Sequence, residues 1–102
     1  MITSSAAIKL IAEVVSTNWQ NDYARKVEDY ALLGVPEYWI TDYLGLGGRE
    51  YIGQPKQPTV TVCSLAGEFY NKQLFRQDDR LASSTFPELR LQAGAIFAAG
   101  QL

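Results

Sequence analysis

The stretch IKLIAEVVSTNWQNDYARKVEDYALLGVPEYWITD, Ile8 to Asp42, carries the pattern strand, helix, strand. Ile8 to Val15 is too short and too rich in β-branched residues for a helix. Its side chains are nearly all apolar, which predicts a strand buried on both faces. Ser16, Thr17 and Asn18 break the run, and Asn21 or Asp22 is the expected N-cap of the next element. Asp22 to Leu33 reads as an amphipathic helix, stopped by Gly34 with Pro36 just beyond. Glu37 to Asp42, aromatic and β-branched, is the next strand.

Working outward, Gly45, Gly47 and Gly48 make a loose turn. The segment GLGGRE, Gly45 to Glu50, lacks the GxxxxGK[ST] pattern of a phosphate loop, so a flexible hairpin connection is expected. Short strands are predicted at Arg49 to Ile52, Thr59 to Leu65 and Glu68 to Phe75, with Ala66-Gly67 as the tight turn between the last two. Asp78-Asp79 is a polar break. Thr85 to Leu91, which contains Pro87, is expected to add a further short extended piece, and Gln92 to Ala99 a closing helix. The order predicts an α/β or α+β chain, a single domain over residues 1–102. One main helix packs on a mixed sheet, and a short C-terminal helix completes the fold.

Composition narrows the chemistry. Nine Lys+Arg against eleven Asp+Glu leave a net charge of −2, which argues against broad affinity for nucleic-acid phosphates while leaving room for a local basic patch. Histidine is absent, which removes Ser-His-Asp hydrolysis, Cys-His proteolysis and histidine-ligated zinc together. The one cysteine, Cys63, allows no intrachain disulfide and fits a reducing compartment, most simply the cytoplasm. No apolar run reaches the roughly 18 residues of a membrane span. Catalysis in such a chain falls to carboxylates, lysine, tyrosine or a metal held by oxygen.

Two residues depart from their surroundings. Along the first strand Lys9, Ile11, Glu13 and Val15 share a face, so Glu13 sits between two apolar neighbours. It either marks a half-wet face together with Lys9, or it is a metal ligand or general base at the strand's end. On a helical wheel of about 100° per residue, Tyr23, Val27, Tyr30, Ala31 and Leu33 form the apolar arc, and Asp22, Arg25, Glu28 and Asp29 the wet one. Lys26 is the charge inside the apolar arc. It either snorkels along a tyrosine or points toward the Glu13 end of the strand. Tyr38, Trp39 and Tyr43 are expected in the core, and Trp19 at the surface or over the Glu13 end.

AEVVS at Ala12 to Ser16, the helix with Lys26 and Tyr30, and LGVPEYWITD at Leu33 to Asp42 resemble the core of the Uma-two family, a restriction-endonuclease-like family of the PD-(D/E)xK nuclease superfamily. TFPELRL at Thr85 to Leu91, followed by a helix containing Ile96 and Phe97, is similar to that family's C-terminal end. The resemblance implies a restriction-endonuclease-like core and hydrolysis of DNA phosphodiester bonds with Mg²⁺ or Mn²⁺. Glu13 matches the strand glutamate, at once metal ligand and catalytic residue, and Lys26 matches the catalytic lysine. Hard oxygen ligands suit Mg²⁺, and a cation near the scissile phosphate stabilises developing charge. Family members are typically longer and carry a metal-binding Asp in an N-terminal half, so the resemblance implies an N-terminally shortened domain. Ile8-Lys9 stands where the family often writes Pro-Asp, with Asp22 or Asp42 as further oxygen donors. Two functions are compatible with this: an endonuclease incomplete or weakly active in this short form, or a non-catalytic interaction module. The expected partners are DNA and a second copy or a missing N-terminal half, with no membrane.

Overall fold

The computed structural model describes residues 8–100. A four-stranded mixed sheet runs in the order β1-β2-β3-β4, the order of the chain. β1 (Leu10–Val14) and β2 (Glu37–Asp42) are parallel and joined by a helical crossover. β2, β3 (Thr59–Ala66) and β4 (Phe69–Phe75) form an antiparallel meander. This is the expected mixed sheet of an α+β chain.

The crossover helix opens with a π-helical turn at Asn21–Arg25 and continues as α1 (Lys26–Leu32). Neither Asn21 nor Asp22 caps it, contrary to expectation: both lie inside the π turn, and no side-chain cap bond is formed. Its end follows the sequence closely. Gly34 takes φ +76, its N–H bonds to the Ala31 carbonyl, and the Val35 N–H bonds back to Tyr30. These are the two bonds of a Schellman stop, which Gly34 permits because it lacks a Cβ. Gly67, at φ +71, takes the first central position of the two-residue β3–β4 turn, which shifts the turn to Gly67-Glu68 and leaves Ala66 in the strand.

Two cores sandwich the sheet. On the α1 side Val15, Tyr23, Tyr38, Ile40, Ile52 and Cys63 pack together, with Val27 and Tyr30 of the helix against them. On the other side Val60, Val62, Phe75, Leu81, Ala93 and Phe97 form the second core, closed by α3 (Ala93–Gly100). The predicted strand at Arg49 to Ile52 is instead a single helical turn, α2 (Arg49–Ile52). Its reason is packing. Ile52 is buried and Tyr51 stacks on Tyr23 at 5.1 Å, so two consecutive side chains reach the same core, which a strand would send to opposite faces. Thr85 to Leu91 forms bends and a turn and no extended strand. The nearest ladder contact is an isolated bridge between Arg80 and Gln92.

β1 corrects a further expectation. It is an edge strand, with Ala12 exposed and Val14 at 58 % exposure, so only its α1 face is covered within the described residues.

Two buried carboxylates brace the sheet. Asp42, at the end of β2 and fully buried, accepts from the Tyr23 hydroxyl at 3.1 Å and from the Leu46 and Gly47 N–H groups at 2.9 Å each. It ends its strand, starts the following turn and also anchors the crossover helix. Glu37, at the other end of β2, accepts from the hydroxyls of Ser83 and Ser84, the Trp39 indole N–H and the Thr85 N–H. Burial pushes its pKa up, but these donors outweigh it and hold the carboxyl below its ordinary value.

Asp42→Ala leaves the Tyr23 hydroxyl and two backbone N–H groups without their acceptor, and is expected to cost roughly 3–5 kcal/mol in urea unfolding. Because the folded pKa of Glu37 lies below its unfolded value, its contribution is present above the ordinary carboxylate range and is lost as pH falls through the folded value. Glu37→Gln is accordingly expected to cost about 2 kcal/mol at neutral pH, with the gap to the parent narrowing in thermal melts as the pH is lowered below the ordinary carboxylate range.

Candidate active site

The crossover helix lies over the sheet so that the flank carrying Asp22 and Lys26 faces β1. The wheel placed Asp22 on the wet side. Instead it is buried, with its side chain 6 % exposed. The π turn is the physical cause: the Lys26 N–H bonds to the Asn21 carbonyl five residues back, so the 3.6-residue periodicity fails over this stretch. The Tyr38 hydroxyl donates to the Asp22 backbone carbonyl at 3.1 Å and ties this turn to β2. Tyr23, the next residue, carries the bond to Asp42.

Lys26 resolves the choice left open by the sequence. Its ammonium donates to Glu13 Oε2 and lies 3.0 Å from Asp22 Oδ1, so it points at the strand. Glu13 and Lys26, both partly exposed, therefore meet as the sequence suggested, and Asp22 joins them. The hydrogen bond it donates to Glu13, then that to Asp22, hold the lysine well above its ordinary pKa. It is a permanent cation at neutral pH, suited to pairing with an anion and unsuited to taking a proton. Tyr30, one turn further along, is half-buried on the same flank. Burial, followed by the nearby Glu13 charge, raises its hydroxyl pKa, and its ring packs edge-on against Tyr38 at 4.9 Å.

The three groups carry a net charge of −1 and share one lysine between two carboxylates. Oxygens that both bond one nitrogen lie within about 6 Å of each other, close enough to face a common substrate atom. Among the described residues, however, no group of three or more metal-ligating side chains gathers. Mg²⁺ requires near-octahedral coordination by oxygen. Glu13 and Asp22, both already bonded to an ammonium, do not make a metal site by themselves. Asp42 adds nothing to them, since it faces Tyr23 and the Leu46–Gly47 turn. Trp19 sits against Tyr51 at the start of the helix, as part of the core rim. Tyr38 is buried, and Trp39 and Tyr43 pack on the α3 side.

A cavity lies elsewhere on the helix. A groove of about 820 Å³ runs along the opposite flank of α1, between Val27, Ala31 and Leu32 and the hairpin residues Phe69, Tyr70 and Lys72. The charged cluster faces away from it, on the β1 side.

Residues 3–94 match the family Uma2, described as "Putative restriction endonuclease". The chain belongs to this family. The match takes in Glu13, Asp22 and Lys26, and both buried carboxylates of β2. No curated protein and no solved structure matches the chain. Among the described residues no helix is long and apolar enough to cross a membrane. Asp22 is the site residue that the wheel missed. The sequence offered it as a further oxygen donor beside Asp42, and its four-residue spacing to Lys26 is the separation at which helical side chains pair.

A double-mutant cycle on Glu13→Gln and Lys26→Met, read by chemical denaturation, is expected to give a coupling of about 0.5–1 kcal/mol, since both groups are partly exposed and screened. The folded pKa of Lys26 lies above the unfolded one, so this coupling is present through neutral pH and up to the ordinary lysine range. It is lost only as the pH rises through the folded value.

Proposed function

We propose that the chain is a nuclease-type domain that acts on DNA phosphodiester bonds. The observation that carries this reading is the meeting of Glu13, Asp22 and Lys26 at the edge of the sheet, in a member of a restriction-endonuclease-like family. Lys26 supplies the cation that steadies charge developing on the phosphoryl oxygens. Glu13 and Asp22 hold that cation in place, and Glu13 is the proposed ligand for Mg²⁺ or Mn²⁺, with the remaining ligands coming from substrate phosphate or from outside the described residues. This dependence on outside ligands is why the activity proposed for the chain alone is weak. A cytoplasmic location is proposed with it. Cys63 is buried with its thiol pushed up to about 11, which leaves it protonated and inert.

A second reading is a non-catalytic interaction module. The exposed apolar face of β1, with Ala12 and Val14, favours it. Plasmid cleavage with Mg²⁺ or Mn²⁺ separates the two. The nuclease reading expects slow cleavage by the parent chain that falls by roughly 10²-fold or more in Lys26→Ala and Glu13→Ala. Equal residual cleavage in all three would point to a contaminant and remove the catalytic assignment.

A further inference from the structure

Among the described residues β1 has one partner strand. Its N–H and C=O groups on the β2 side are used: Val15 donates to the Thr41 carbonyl at 2.8 Å, continuing the parallel ladder. In such a ladder alternate residues turn their backbone to the same neighbour. Ile11, Glu13 and Val15 therefore turn theirs to β2, and Leu10, Ala12 and Val14 turn theirs outward. Among the described residues no strand takes up that outward edge.

We propose that the outward edge of β1 pairs antiparallel with β1 of a second copy, about a two-fold axis through Ile11. The registers open to such pairing are few. Outward groups must meet outward groups, so the two residues of each facing pair have position numbers that are both odd or both even. A pairing centred on Ala12 sets Glu13 against Ile11 of the partner subunit and Lys9 against Val15 of the partner subunit. A pairing centred on Leu10 sets Lys9 against Ile11 of the partner subunit. The pairing centred on Ile11 sets Lys9 against Glu13 of the partner subunit, and two-fold symmetry makes that pair twice. It also sets Leu10 against Ala12 of the partner subunit, and Ile8 against Val14 of the partner subunit, so the other face matches apolar with apolar.

Charge complementarity thus selects the occupant and the register. Lys9 is exposed and lies one residue ahead of the strand, in step with Ile11 and Glu13, on the face that carries α1. Facing residues off the hydrogen-bonded pairs are the closer kind in an antiparallel ladder, so the ammonium and the carboxylate are within reach. Each candidate site then receives a residue from the other subunit: Glu13, Asp22 and Lys26 gain Lys9 of the partner subunit, and the net charge of −1 becomes zero. The opposite edge of the sheet lacks this match. Self-pairing of β4 about its middle residue would set Lys72 against itself, a common guard against edge pairing.

The arrangement is independent of cleavage and is tested without it. Sedimentation velocity of the purified chain at high micromolar concentration is expected to show a dimer. Lys9→Glu, on an exposed residue, turns two attractive pairs into two repulsive ones and is expected to weaken the dimer by about tenfold or more, with Lys9→Arg retaining it. Register is read by oxidation: Ile11→Cys lies on the axis and cross-links to its own copy, whereas Ala12→Cys, at the more exposed position, does not. The buried Cys63 gives no background. A parent chain that stays monomeric, a Lys9→Glu dimer as tight as the parent, or cross-linking at Ala12 in place of Ile11 would each overturn the assignment. A dimer that cuts no DNA leaves it standing and removes the nuclease reading alone.

Discussion

The Asp42 carboxylate is the point on which the placement of everything else depends. It is fully buried, has no cation beside it in the hydrogen-bond network, and is satisfied by one hydroxyl and two backbone N–H groups. A buried charge held only by neutral donors is tolerable when every lone pair facing the protein is used. Here the donors come from two different places, the crossover helix and the loop after β2. Strand, loop and helix are therefore fastened at one atom group. Gly47 belongs to the same fastening, because a Cβ there would stand 2.7 Å from the Tyr23 ring.

The site is built on this fastening. Tyr23 is held by Asp42, Asp22 precedes it, and the π turn carries both, so the turn's unusual width is fixed from below by β2. Lys26 begins the regular helix immediately afterwards and inherits its direction toward Glu13. The charged cluster is thus a product of the helix's registration on the sheet. Its geometry, one ammonium between two carboxylates, holds the lysine as a fixed cation.

What the sequence disclosed and what it hid divide along the range of the interactions. The stop at Gly34, the β3–β4 turn at Gly67 and the strands themselves were legible because each is written in a few consecutive residues. The pairing of Glu13 with Lys26 was legible as a pair of anomalies against two regular patterns. The burial of Asp22 was not, since a wheel assumes a constant angle and the π turn breaks it. Arg49 to Ile52 alternates well enough for a strand, and only the stacking of Tyr51 on Tyr23 selects a helical turn. Glu37 was read as a strand residue and nothing more, since its partner Ser83 lies 46 residues away. That β1 sits at an edge is fixed by the strand order, since composition reports only that the strand is apolar.

The acids that hold the fold and the acids that face the lysine are different residues on different elements. Glu37 and Asp42 bind neutral donors and are closed to solvent, whereas Glu13 is spent on Lys26 at the rim. Folding and the proposed chemistry consequently draw on separate positions. Replacing Glu13 or Lys26 therefore leaves the hydrogen bonds that brace both ends of β2 in place, and the architecture does not depend on the charged rim.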